Sequence, residues 1–224
     1  MMSAEYPHIP PQLLEYRSAK LIEAFNYQGE AKTWSAIDEL FRIVSEITLI
    51  KPLDLLSRLG FDAKNVDRYS LQSLFGVMRT VVTLRNLGFT DITPLPPRQD
   101  RKEADLLARR NGELIAVEVF RANEDRPRYP GNNLEEYIAK RFTMDKKAQL
   151  DATVSYHNCA RAILAVVFDS KLKALLYEAE WQQSAEDAFI AMGLPDRTHL
   201  LIFTGLADSA TGEDEWAIYQ DLPS

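Results

Sequence analysis

The chain has 224 residues, 46% of them hydrophobic and 26% charged, with a net charge of −7. That is the profile of a folded chain long enough for one elaborated domain or two small ones. It excludes a membrane-crossing helix, which needs about 20 consecutive apolar residues, and with a single cysteine, Cys159, it excludes an internal disulfide framework or a multi-cysteine zinc site. The start, Met1 to Pro7, lacks the basic and then apolar profile of a secretory signal, so the cytoplasm is the expected setting and no membrane partner is expected.

In chain order, the first seventy residues read as helical. Leu13, Leu14, Tyr16, Leu21, Ile22 and Phe25 form an apolar stripe that stops at Gly29. Trp34, Ile37, Leu40, Phe41, Val44 and Ile47 form a second. Pro52 opens a short helix that ends at Gly60, and Ser70 is placed to cap a helix from Leu71 to about Leu87 that stops at Gly88. The period then changes. Asp91 to Leu95 reads as a short strand, Ala104 to Arg109 as a second and Glu113 to Phe120 as a third, with Asn111-Gly112 as a two-residue turn between the last two. A loop from Asn123 to Asn132 leads to a long helix from Asn133 to about Val154. Arg161 to Asp169 has the continuous apolar content of a strand buried on both faces. Helices over Lys171–Tyr177 and Ser184–Met192, a buried strand over His199–Thr204 and an edge strand over Trp216–Leu222 complete the chain. The expected fold is an α/β domain over residues 70–224, with a mixed sheet flanked by helices, preceded by a helical N-terminal subdomain over residues 1–69.

A net negative charge argues against a nucleic-acid partner, but the distribution does not. Arg98 to Lys147 holds twelve Lys/Arg against ten Asp/Glu, whereas Ala148 to Ser224 holds four against twelve. The basic groups surround one segment, which fits an electropositive face for a polyanion. Arg98, Arg101, Lys102, Arg109, Arg110, Arg126 and Arg128 are the candidate phosphate contacts, with a plain surface role the default for half or more of them. Within that segment Asp105 and Glu118 each lie six or seven residues from the Asn111-Gly112 turn. Closing the hairpin makes them approximate cross-strand neighbours in otherwise apolar strands. Buried uncompensated carboxylates are expensive; a divalent cation removes that cost, and Mg²⁺ favours one or two carboxylates completed by water and phosphate oxygens. The competing expectation is an edge hairpin whose acids are solvated or paired with Arg79 or Arg121.

The stretch from Glu103 to Phe120 resembles the metal-binding β-hairpin of PD-(D/E)xK (restriction-endonuclease-like) nucleases. The preceding Leu87-Gly88-Phe89 and the later Lys146-Lys147-Ala148-Gln149-Leu150 are similar to the helix end and the Lys/Gln-bearing helix that flank it there. The resemblance spans roughly Leu71 to Phe168. It implies Asp105, Glu118 and the carbonyl of Val119 as ligands of Mg²⁺ or Mn²⁺, and nucleic acid, DNA ahead of RNA, as substrate. Two positions depart from the pattern. Phe120 stands where the strand lysine is usual, so the resemblance implies that Lys146 or Lys147 reaches in from the helix, with Gln149 one turn beyond Lys146. No acid occurs between Ser70 and Asp91, where Arg79 and Gln72 are the nearest polar residues to the usual helix glutamate.

The expected function is metal-dependent hydrolysis of phosphodiester bonds. The alternative is a catalytically degenerate binding or assembly module, part of a defence or toxin complex, that engages a protein through the acidic C-terminal part or the helical N-terminus. Glu103 is expected to be exposed, and His199 to be a satisfied core histidine.

Overall fold

The computed structural model describes residues 5–14, 30–61, 68–97, 100, 102–122, 146–168, 198–204 and 217–219. The expected loop at 123–132, the start of the helix at 133, the helices over 171–177 and 184–192 and most of the first apolar stripe lie outside those residues.

The described helices are α1 (Pro11–Leu14), α2 (Glu30–Thr48), α3 (Pro52–Arg58), α4 (Arg68–Asn86) and α5 (Lys147–His157). The strands are β1 (Thr90–Pro94), β2 (Leu106–Arg110), β3 (Glu113–Ala122), β4 (Arg161–Phe168), β5 (Thr198–Thr204) and β6 (Ala217–Tyr219). Ser70 is the third residue of α4 rather than its cap, because the helix begins at Arg68. The helix stops fall at Gly60 and Gly88, whose φ values of +75° and +86° are those of left-handed C-terminal caps. In each case the amide of the next residue closes the motif, Phe61 N to Leu56 O at 2.9 Å and Phe89 N to Leu84 O at 3.0 Å.

The six strands form one sheet in the order β1-β2-β3-β4-β5-β6. The pairs β1/β2, β2/β3 and β5/β6 are antiparallel, while β3/β4 and β4/β5 are parallel. Asn111 and Gly112, at φ +53° and +84°, supply the two positive dihedrals of a tight hairpin turn, and that turn sets the β2/β3 register. A hairpin followed by two parallel crossovers makes the sheet mixed, as the order of sequence elements predicts.

Both faces of the sheet are covered. On one, Ile115, Val117, Ile163 and Val167 join Trp34, Ile37 and Phe41 of α2 and Leu74, Met78 and Val81 of α4 in a single hydrophobic cluster. Residues from both sides of the expected 69/70 boundary therefore share one core. Every residue of α4 from Leu74 to Leu84 is buried, Arg79 included at 1% exposure, because the helix packs against α2 as well as β1, β3 and β4. On the opposite face α5 packs against β3 and β4. There Ala116, Glu118 and Phe120 alternate with the cluster residues of β3. Near the N-terminus the Asp38 carboxylate accepts hydrogen bonds from the amides of His8 (2.7 Å) and Ile9 (3.1 Å), which fastens α1 and its approach to α2.

Gly60 also permits a close approach. A Cβ built on it would lie 2.9 Å from Pro97 Cγ. Gly60→Ala is expected to lower stability by about 1–2 kcal/mol, from the positive φ together with that contact. Thermal denaturation with Gly88→Ala as comparison measures the contact's share, since nothing lies within 4 Å of a Cβ at Gly88.

Candidate functional site

The hairpin register decides whether the two acids meet. Leu106 pairs with Val117, the last pair of the β2/β3 ladder. One step further the same register sets Asp105 opposite Glu118, on the sheet face that α5 covers. Here β2 leaves the ladder: the Ala104 amide turns to Thr153 Oγ1 (2.7 Å) and the Asp105 carbonyl accepts from the Leu95 amide (2.9 Å). The Val119 amide, left without a strand partner on that side, donates instead to Asp105 Oδ2 at 2.8 Å. In a strand the N–H and C=O of one residue point to the same neighbour, so the Val119 carbonyl is directed to the edge that Asp105 occupies. Glu118 is fully buried, and Asp105 is partly exposed at the rim.

The third charged group arrives from α5. Lys146, its N-cap residue, places Nζ 2.5 Å from Glu118 Oε1. Of the two lysines the sequence leaves open, this is the one at the site. Lys147 turns outward to Asp151 one helical turn on, at 3.2 Å, where both side chains are half-buried. Such i,i+4 pairs stabilise a helix by only about 0.2–0.5 kcal/mol. Phe120 is buried at 4% exposure on the same face as Glu118, so apolar ring replaces cation on the strand while the helix supplies the cation.

One face of α5 also fixes the segment that carries Asp105. Gln149 Nε2 donates to the Glu103 carbonyl at 3.2 Å, Thr153 Oγ1 accepts from the Ala104 amide, and His157 Nε2 lies 3.1 Å from Glu103 Oε1. Positions 149, 153 and 157 repeat at the helical i,i+4 spacing. Gln149 therefore acts on backbone near the pair rather than on the pair itself. Glu103, expected to be exposed, has a side chain only 5% exposed because His157 and α5 cover it. Thr153 and His157 are the contributors that sequence reasoning missed; their spacing from Gln149 was visible, but the segment they hold was not. Thr153→Val is expected to cost about 1–3 kcal/mol by orphaning the buried Ala104 amide, read as a lower unfolding midpoint and faster hydrogen exchange at that amide.

The electrostatics follow from burial. Loss of hydration is the largest influence on Glu118, and the neighbouring Asp105 charge adds to it, so its carboxyl titrates well above the usual range despite Lys146. Asp105 is raised mainly by burial, against the opposing pull of Lys146 and the Val119 amide. The Glu118 Oε2 atom is buried and receives no hydrogen bond from the described donors. It can be satisfied by a proton shared with Asp105 or by a cation. The chemistry of the donor set, two carboxylates beside a backbone carbonyl directed to the same edge, fits a hard divalent ion that keeps most of its own water. Among the described residues no group of three or more His, Cys, Asp or Glu side chains is placed to hold a metal.

The remaining candidates divide by position. Arg109 and Arg110 are at the turn end of the hairpin, away from Asp105: Arg109 donates to Gly112 O at 3.2 Å, and the Arg110 guanidinium lies 5.1 Å from the Phe89 ring centroid. Lys102 is exposed and lines a cleft with Asp105. Arg98, Arg101, Arg126 and Arg128, and the side chains of Gln72 and Arg121, lie outside what is described. His199 is 1% exposed and lies 3.2 Å from Arg161 Nη1, whose Nε donates to Glu113 at 2.6 Å, so it is the buried end of a polar chain that leads out to half-exposed Arg161 and Glu113 at the other end of the sheet.

Fold and site together define a mixed α/β protein with a carboxylate pair at a strand edge, countered by a helix lysine. Comparison with family models, with curated proteins and with solved structures returns no match. No helix among the described residues is long and apolar enough to cross a membrane.

Proposed function

We propose that this chain is a metal-dependent phosphodiesterase of restriction-endonuclease-like fold that cleaves DNA or RNA. The observation that carries the reading is the convergence of Asp105, Glu118 and Lys146, from the approach to β2, from β3 and from the start of α5, around a buried oxygen that no described donor reaches. The order of hairpin, helix and parallel strand supports the same assignment. Asp105, Glu118 and the Val119 carbonyl would hold Mg²⁺ or Mn²⁺, which when bound supplies Lewis-acid polarisation of a phosphate and a more acidic water. Lys146 is placed to donate from Nζ to a phosphate oxygen or to orient a water once its contact with Glu118 loosens. The Val119 amide holds the Asp105 carboxylate in one orientation, and Phe120 keeps bulk water from the Glu118 side.

A second reading rests on a specific contact. Lys146 already donates to Glu118 Oε1, a contact made without metal, which suits a binding or assembly module that has kept the fold. Calorimetric titration with Mn²⁺, followed by cleavage of single- and double-stranded substrates, separates the two. Binding and cleavage by wild type that vanish in Asp105→Ala and Glu118→Ala support the enzyme. Absence of Mn²⁺ binding supports the module, and cleavage that survives both substitutions rules out the metal assignment.

A further inference from the structure

Beside the carboxylate pair lies a cleft of about 260 Å³ whose lining comes from five places in the chain, Gln149 of α5 among them. Arg58 ends α3, Val77 is on α4, Leu95 to Pro97 follow β1, and Lys102 to Asp105 approach β2. Gly60 makes this junction possible, because a side chain there would push against Pro97 and move the end of α3 from the wall. The walls are of two kinds. Leu59, Val77, Leu95, Pro96 and Pro97 are apolar, while Arg58 and Lys102 are exposed cations. Of the acids present, Glu103 is covered and tied to His157, and Asp105 is committed to the carboxylate pair.

From this arrangement we infer that the cleft is a subsite for one unpaired nucleotide next to the scissile phosphate, its base against the proline-lined wall and its phosphates on Arg58 and Lys102. The inference rests on the phosphodiesterase reading and adds a substrate form to it. The volume is below the roughly 300–1,000 Å³ of sites that enclose a drug-sized ligand, so a single base fits and a stacked pair does not. A base can enter only after leaving its stack, which selects single strands or frayed ends. The two cations lie on a chain whose net charge is −7, so their place beside this cleft answers a local need for anion contact.

The test measures fluorescence anisotropy of a labelled single-stranded DNA 12-mer, and of an abasic 12-mer with the same phosphates, in Ca²⁺ to prevent cleavage. Wild type is expected to bind the base-bearing strand about three- to tenfold more tightly than the abasic one. Arg58→Ala/Lys102→Ala, both changes at exposed positions, is expected to weaken binding about tenfold and to reduce the slope of log affinity against log salt by about 1.4. Equal affinity for the two strands overturns the base pocket, and an unchanged salt slope in the double variant overturns the phosphate contacts. Either result leaves the enzyme reading standing if wild type still cleaves with Mn²⁺. A wild type that binds neither Mn²⁺ nor either strand overturns both readings together.

Discussion

Replacing Lys146 with methionine is expected to make the protein markedly less stable, and increasingly so as the pH rises. Methionine keeps most of the side-chain length, so the change isolates the ammonium. Glu118 is fully buried and the Lys146 side chain is 22% exposed, which makes this a contact where loss of one partner matters. Removing one member of a buried ion pair costs about 3–5 kcal/mol when the other stays charged. Here the remaining acids can take up protons instead. A raised folded-state value favours the protein while its carboxyl is protonated, and that advantage is lost as the pH climbs from the unfolded value through the folded one. Both Glu118 and Asp105 are raised, and Lys146 opposes the rise in each. Without it their folded values climb further, so the stability lost on ionising them grows. The expected deficit is about 1–2 kcal/mol near pH 5, where a hydrogen bond is lost, and about 3–5 kcal/mol near pH 8. Urea denaturation of both proteins at the two pH values, without metal, measures it; a deficit independent of pH would contradict the assigned charges.

Glu118→Gln is expected to keep the fold and remove metal binding. Glutamine reproduces the protonated carboxyl: its oxygen can accept from Lys146 while its amide donates to Asp105. Metal-free wild type should lose stability as pH rises above the ordinary carboxylate range, because Glu118 must then ionise against burial and Asp105. The variant cannot ionise there, so its stability should be flatter with pH and equal or exceed that of wild type at alkaline pH. Under the proposed function the same change removes a charged ligand, one of the two carboxylates among the described residues there. Mn²⁺ affinity should fall more than about 100-fold, beyond the 10–100-fold typical when a residue that merely supports a ligand is lost, and cleavage should fall with it. Mn²⁺ binding in wild type should also strengthen with pH, since the ion competes with the proton for Glu118. Calorimetry at pH 6 and 8 tests the pair of expectations, and a variant that still binds Mn²⁺ would move the metal away from Glu118.

Much of the site was legible before folding because its parts are local. The Asn111-Gly112 turn fixes a register, and a fixed register places position 105 opposite position 118 whatever surrounds the hairpin. Alternation in β3 likewise assigns Phe120 to the face of Glu118. The apolar pattern predicts a helix end near Val154, whereas α5 runs to His157 and ends on Asn158 at φ +53°. Asparagine tolerates that left-handed conformation, which apolar periodicity cannot register. Arg79 shows the opposite limit: the sequence offers it as a partner for the two acids, but its burial at 1% exposure follows from the enclosure of α4 over residues 74–84, which only packing decides.

By itself, then, the sequence determined the order of the described elements, the hairpin and the meeting of Asp105 with Glu118, since turn chemistry and strand period act within about twenty residues. Tertiary structure alone decided which lysine serves the pair. Lys146 and Lys147 are adjacent in the chain, and about 100° of helical rotation sends one to Glu118 and the other to Asp151. It also decided that Gln149, Thr153 and His157 grip the approach to Asp105, and that Gly60 brings Arg58 beside it. Those contacts join residues more than thirty-five positions apart, and only the packing of α3 and α5 on the sheet brings them within reach.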